Sequence, residues 1–453
     1  MPNNRRTFIK TAALSAAGLS TLAHSAQTAQ EPPRKPNIVL LFADDMGMGD
    51  VSCYGHSEIP TPHIDSIAHD GTRFTDFYVA APVCTPSRFS LLTGMMPNRS
   101  ADKIRGAFMF AGENDKDRGI RPHEITLASQ FKSIGYDTAI IGKWHLGHGS
   151  REFLPTRHGF DYFQGHTGGC IDYYQFRYGN LPDWYEGEEK ISRDGYATDL
   201  IADEAVRWIQ SHRENPFFLY VPFNAPHYAK GWDEEKREFL NILQAPQEVV
   251  NEFHWIEDPL RREFAAMVKI MDDGIGRILH ALKEYQLEQN TLVIFLTDNG
   301  ADYRYGGSNK PFNGAKATYY EGGIRIPCVM KFPGSIPAGT ISAQVGSTLD
   351  FMPTFAALTG YDLPSQPQDG MDLCPALFNG IVRERDLFFR NGATKACRHG
   401  RWKWLHTSAQ RGFPAVTGLF DLETDALESN NLAEAYPEKL QELEERHGEV
   451  LPD

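Results

Sequence analysis

The chain has 453 residues, 41% of them hydrophobic, with 28 Phe and 7 Trp, so it can bury a large core and is too long for one minimal domain. Its formal charge of -14, with no Lys/Arg run, argues against a nucleic-acid partner, because phosphate binding needs a basic face. Beyond the first residues no segment approaches the ~20 apolar residues of a membrane-spanning helix, which argues against an embedded protein.

Residues 1–26 join Arg5, Arg6 and Phe8 to an apolar, Ala-rich stretch and then small residues, the pattern of a twin-arginine signal peptide. A bacterial, periplasmic or secreted protein is therefore expected. Removing this segment takes away Arg5, Arg6 and Lys10 and no acid, so the formal charge moves from -14 to -17. Residues 27–36 are polar and Pro-rich and read as a linker. A buried strand follows at once in Asn37–Phe42. Further short apolar runs recur at Asp137–Gly142, Phe217–Phe223 and Thr291–Thr297, each preceded by an amphipathic helical stretch, at 124–136, 197–212 and 261–285. Helix alternating with apolar strand predicts a large, mostly parallel α/β sheet with helices on both faces over residues 37–371. Over residues 372–453 the pattern changes to short alternating stretches and a charged helix, which predicts a small C-terminal antiparallel sheet with a terminal helix.

The six cysteines, Cys53, Cys84, Cys170, Cys328, Cys374 and Cys397, contain no C-x-x-C pair and are spaced too widely for a zinc site.

In open α/β sheets ligands bind beyond the carboxyl ends of the strands. All four apolar runs end in ionisable or metal-binding groups: Asp44 and Asp45, then Lys143 and His145, then His227, then Asp298 and Asn299. One acid after a strand is usually a helix cap or a solvated loop residue; four such ends together point to a site. Three carboxylates and an amide are hard oxygen donors that suit Ca²⁺ or Mg²⁺, and the larger, more flexible shell of Ca²⁺ favours it. Lys143 and His145 share one face of an extended segment, and His227 adds a second titratable group.

Between the first strand and the first long helix stands Cys84-Thr85-Pro86-Ser87-Arg88, followed by Phe89 to Gly94. This segment resembles the signature of the type I sulfatases, formylglycine-dependent members of the alkaline phosphatase superfamily. The resemblance extends in family order over nearly the whole mature chain. Asp44, Asp45, Asp298 and Asn299 are similar to the metal ligands, and Cys84 to the residue that an accessory enzyme, formylglycine-generating or anaerobic sulfatase-maturating, oxidises to formylglycine. Lys143 and His145 in Gly142–Gly147, His227 in Asn224–His227, and Lys316 in Gly314–Gly323 resemble the remaining catalytic positions. Gly400–Lys403 and Leu419–Leu422 resemble strands of the small second domain.

What the resemblance implies is hydrolysis of sulfate monoesters by a formylglycine diol that is also a metal ligand. It implies His145 as base, His227 with Lys316 as proton donor to the leaving oxygen, and Arg88 with Lys143 as stabilisers; the two histidines can exchange roles. Such chemistry needs local cations, because the substrate is an anion at sulfur. A phosphonate or phosphate ester hydrolase of the same superfamily is the nearest rival, and a carbohydrate-binding relic with a dead site a more distant one. The segment Gly165–Tyr174 resembles part of N-acetylgalactosamine-4-sulfatase-type members, and the aromatics and acids of Gln175–Glu189 suit a cleft for a sulfated saccharide.

Overall fold

The computed structural model describes residues 35–55, 58–109, 115–233, 236–409 and 412–451. The expected signal peptide, and all but the last two residues of the expected linker, lie outside the described residues. Ten strands form the main sheet: β1 (Asn37–Ala43), β2 (Thr72–Phe74), β3 (Asp137–Lys143), β4 (Tyr162–His166), β5 (Tyr185–Glu186), β6 (Glu189–Lys190), β7 (Phe217–Pro222), β8 (Thr291–Thr297), β9 (Cys328–Lys331) and β10 (Thr340–Ser342). Their order is β10-β2-β9-β8-β1-β7-β3-β4-β5-β6. The five central strands, β8-β1-β7-β3-β4, pair in parallel. Antiparallel strands β9 and β5 flank them.

Alternation along β1 explains the two-sided burial. Ile38, Leu40 and Phe42 enter one apolar core. Val39, Leu41 and Ala43 enter the other. A strand buried on both faces reads as a continuous hydrophobic run, which is what Asn37–Ala43 is. The first core is completed by helices α2 (Cys84–Thr93), α3 (Leu127–Ser133) and α6 (Phe351–Thr359). The second is closed by α1 (Pro62–His69), α4 (Ala197–Ser211) and α5 (Pro259–Glu284).

A separate antiparallel sheet, β11 (Asp386–Asn391), β12 (Thr394–His399), β13 (Trp402–Thr407) and β14 (Val416–Asp421), runs in chain order. Helix α7 (Pro437–Val450) covers it through Leu443, which packs with Cys397, Trp404 and Leu419. On its other face Leu387, Phe389, Ala396, Leu405 and Phe420 join the first core of the main sheet.

Candidate active site

The parallel register sets the site. Ala43 pairs with Thr297 and Phe42 with Pro222, so β1, β7 and β8 end side by side and release Asp44-Asp45, Asn224–His227 and Asp298-Asn299 into one place. The turns are cross-linked by backbone: Asp44 N donates to Ala225 O and Asp298 N to Ala43 O, each at 3.1 Å. Asp45 and His145 hold left-handed backbones, φ 61° and 55°, a conformation that costs a non-glycine residue energy and is concentrated where function fixes it. Lys143 is the last residue of β3, and Cys84 opens α2.

Every sequence-predicted site residue is buried: Asp44, Asp45, Cys84, Arg88, Lys143, His145, His227, Asp298, Asn299 and Lys316. Ligand atoms of Asp44, Asp45 and Asp298 lie within 4.8 Å of one another, as do those of Asp44, Cys84 and His227. Arg88 Nη2 stands 3.0 Å from Asp298 Oδ2 and 3.6 Å from Asp44 Oδ1. Lys143 Nζ donates to Asp44 Oδ2. Lys316 Nζ donates to Asp45 Oδ2 at 2.6 Å, and His227 Nε2 lies 3.4 Å from that oxygen. Asn299 Nδ2 donates to Asp45 Oδ1 at 2.7 Å.

Charge is balanced unevenly across this cluster. Burial raises the Asp44 carboxyl, but Lys143, His227 and Arg88 together outweigh it and hold the group well below the usual range. Burial and the adjacent Asp44 push Asp298 up to about 8 despite Arg88, so one of the neighbouring acids resists ionisation. A divalent cation would remove that conflict. Asp44 Oδ1 and Asn299 Oδ1 are buried oxygens without a hydrogen-bond partner, which fits the same conclusion.

The histidine tautomers are fixed by carbonyls, which only accept. His145 Nε2 lies 2.9 Å from Phe108 O and must carry the proton, leaving Nδ1 as a buried lone pair without a partner. His227 Nδ1 lies 2.8 Å from Tyr228 O, so its Nε2, beside Asp45, carries a second proton only in the imidazolium. Burial and Lys316 bring His227 down to about 4. The Cys84 thiol is raised by burial, with Lys143 and Lys316 opposing.

Sequence reasoning missed Phe108, whose carbonyl sets the His145 tautomer, and the ring wall beside His227: Tyr228 packs, tilted by 36°, at 4.1 Å from the imidazole, and Tyr305, tilted by 37°, at 4.4 Å from Tyr228. Tyr228 directly follows the Asn224–His227 motif, which was its only signal. Within the segment Gly165–Tyr174, Asp172 and Tyr173 point inward. Tyr173 is fully buried and its hydroxyl donates to the carbonyls of Asn224 and His227, while the buried Asp172 accepts from Tyr174 N, Gln175 N and Gln244 Nε2. Tyr173 braces the His227 turn and Asp172 orders the chain after it, while Tyr174, 45% exposed, faces outward.

The family model described as Sulfatase matches residues 36–361. The chain is 36% identical over 428 residues to N-acetylgalactosamine-6-sulfatase of Sus scrofa, covering 88% of this chain and 76% of that one. It is 33% identical over 472 residues to arylsulfatase A of Homo sapiens, covering 91% and 87%. Among solved structures, Ps i-CgsB in complex with k-i-k-neocarrahexaose superposes with a TM-score of 0.82 at 29% identity, over 92% of this chain and 93% of that one.

Proposed function

The chain belongs to the sulfatase family of sulfuric ester hydrolases, and from that premise we propose that it releases sulfate from a sulfated saccharide, with Cys84, oxidised to formylglycine, as its nucleophile. The observation that carries this reading is the convergence of Cys84 with three carboxylates and the cations Arg88, Lys143 and Lys316 in one buried cluster beyond the strand ends.

Asp44, Asp45, Asp298, Asn299 and the modified Cys84 side chain would hold a divalent cation, Ca²⁺ by its tolerance of a carboxylate-rich shell and otherwise Mg²⁺. Bound there, the ion and the formylglycine diol would supply an acidified attacking hydroxyl. Arg88 and Lys143 neutralise negative charge on the nucleophile's side. The unpartnered Nδ1 of His145 suits a base. Lys316 faces the anion, and His227 requires protonation before it can donate to a leaving oxygen. The negative charge of a bound sulfate ester favours that protonation, against the burial that opposes it.

The Tyr228–Tyr305 wall beside His227 supports a saccharide on the leaving-group side, since ring faces pack on pyranoses. The relatives' names support this: one is an N-acetylgalactosamine-6-sulfatase, and one was solved in complex with k-i-k-neocarrahexaose. Among the described residues no helix is long and apolar enough to cross a membrane. Export through the Arg5-Arg6 signal to the periplasm or beyond, after Cys84 is modified by a maturating enzyme, completes the proposal.

The test is released sulfate from a panel of sulfated mono- and oligosaccharides, with an aryl sulfate and an aryl phosphate as references. Turnover of aryl phosphate exceeding that of every sulfate ester would overturn the reading.

A further inference from the structure

Lys316 sits in a turn between the buried Ala315 and Tyr319 and holds its ammonium against Asp45. Backbone bonds hold this turn from one side, and a second set of buried charges lies behind it. Lys316 N donates to Ala301 O at 3.1 Å and Ala317 N to Pro82 O at 2.7 Å, which ties the turn to the segments bearing Asn299 and Cys84. Ala317 holds φ 68°. The turn then lies directly on Gly322 and Gly323. A Cβ added at Gly323 would fall 2.0 Å from Thr318 O, and one at Gly322 would fall 2.5 Å from Gly314 O.

Glu321 begins this glycine pair and is fully buried. Its Oε1 accepts from Lys403 Nζ of β13 at 2.8 Å, and its Oε2 accepts from the Tyr78 hydroxyl at 2.6 Å. Its own backbone N–H donates to Glu428 Oε2 at 2.6 Å, and Glu428 Oε1 lies 2.7 Å from the same Lys403 ammonium. Lys403 and Glu428 are buried as well, and both come from the C-terminal sheet and the chain following it. Arg325 Nη1 also lies 3.4 Å from Glu321 Oε2, so taking Lys403 away leaves Glu321 with this longer pair and removes the ammonium it shares with Glu428, which frees the local backbone to shift toward Arg325 or water.

We propose that Lys403 and Glu428 are positioning residues for anion binding: by clamping Glu321 they hold the turn that presents Lys316, so the small sheet sets the geometry of the sulfate-binding cation. This rests on the reading of the site as one for sulfate esters. Among the described residues the side-chain hydrogen bonds and ion pairs of Lys403 and Glu428 run to Glu321 and to each other and none to Asp44, Asp45 or Cys84, so both act through Glu321.

The experiment compares wild type, Lys403→Met, Lys403→Arg, Glu428→Gln and Lys316→Ala on an aryl sulfate, with inorganic sulfate as competitive inhibitor. Lys403→Met is expected to raise KM and the sulfate inhibition constant about tenfold or more, with a smaller change in kcat. Lys403→Arg should recover part of the loss. In the Lys316→Ala background Lys403→Met should add little, because the residue it positions is gone. Should Lys403→Met fail to fold, Glu428→Gln, which keeps an acceptor for Glu321 N and loses the charge, carries the same readouts. A crystal structure of the variant should show Lys316 Nζ withdrawn from Asp45. An unchanged Lys316–Asp45 contact, an unchanged inhibition constant with only a lowered melting temperature, or full additivity with Lys316→Ala would overturn the proposal. Wild-type enzyme that releases no sulfate overturns instead the reading it rests on, and the position of Lys316 in the variant still decides the clamp.

Discussion

Arg88 and Asp298 form a fully buried ion pair, Nη2 to Oδ2 at 3.0 Å, and the same nitrogen stands 3.6 Å from Asp44. One guanidinium thus compensates two acids that arrive from different strands. Replacing it by a similar volume without charge, Arg88→Met, leaves these carboxylates facing each other. In cation-free protein this should cost about 3–5 kcal/mol, the usual penalty for breaking a buried pair. Added Ca²⁺ should restore part of the loss. Urea unfolding with and without the ion measures both, and a calcium-independent loss below about 1 kcal/mol would contradict the account.

Asp298→Asn keeps the shape of the side chain and removes a charge from the cluster that resists ionisation. Cation-free protein should lose stability, since both Asp298 oxygens accept, from Asp45 N and from Arg88 Nη2, and an amide can replace only one of them. Affinity for Ca²⁺ and Mg²⁺ should also fall at least about 100-fold, the upper range for residues that merely orient a ligand, and turnover should fall with it. Calorimetric titration of wild type and variant with each ion is the check. Equal affinity in both would remove Asp298 from the proposed ligand set.

His158 makes a separate prediction about acid. Its ring stacks on Trp144 at 5.8 Å, its Nε2 meets Glu152 O at 2.9 Å, and burial lowers it to about 4. The unfolded state therefore takes up this proton first as pH falls, so folded stability decreases from about pH 6.5 down to about pH 4. One such group accounts for up to about 3 kcal/mol over that window. In His158→Gln, which keeps a donor for Glu152 O, the melting temperature should fall less steeply between pH 7 and pH 5 than in wild type. Parallel slopes would show that His158 does not carry this term.

The parts of this protein that were legible in its sequence are those set by local pattern. Asn37–Ala43 and Thr291–Thr297 are buried on both faces, so their continuous apolar runs announce central parallel strands, and their acidic ends announce the site. Short outlying strands such as Thr72–Phe74 and Tyr185–Glu186 carry no such signal, because two or three residues show no period. Lys403 was visible only as part of a Gly-Arg-Trp-Lys stretch. Its partner Glu321 lies 82 positions away, and only the packing of one sheet on the other brings the two together. The tautomer of His145 was illegible for the same reason: Phe108 contributes a backbone carbonyl, which no side-chain pattern records.

Cys84 separates the readings most sharply. As an ordinary thiol it is buried and raised above its usual range, with Lys143 and Lys316 only partly opposing burial, so it is protonated at neutral pH and a poor nucleophile. Unmodified protein should therefore be inactive. Conversion to formylglycine predicts a tryptic peptide lighter by about 18 Da than the encoded sequence, with hydrazide reactivity that a thiol lacks. The two measurements should rise together with activity when the protein is produced with and without a maturating enzyme. Cys84→Ala removes the attacking atom but no charge, so it should keep its Ca²⁺ affinity within about tenfold through Asp44, Asp45, Asp298 and Asn299 while losing essentially all sulfate release. Sustained hydrolysis by Cys84→Ala would mean that water attacks sulfur directly, and Cys84 would then be only the first residue of a buried helix.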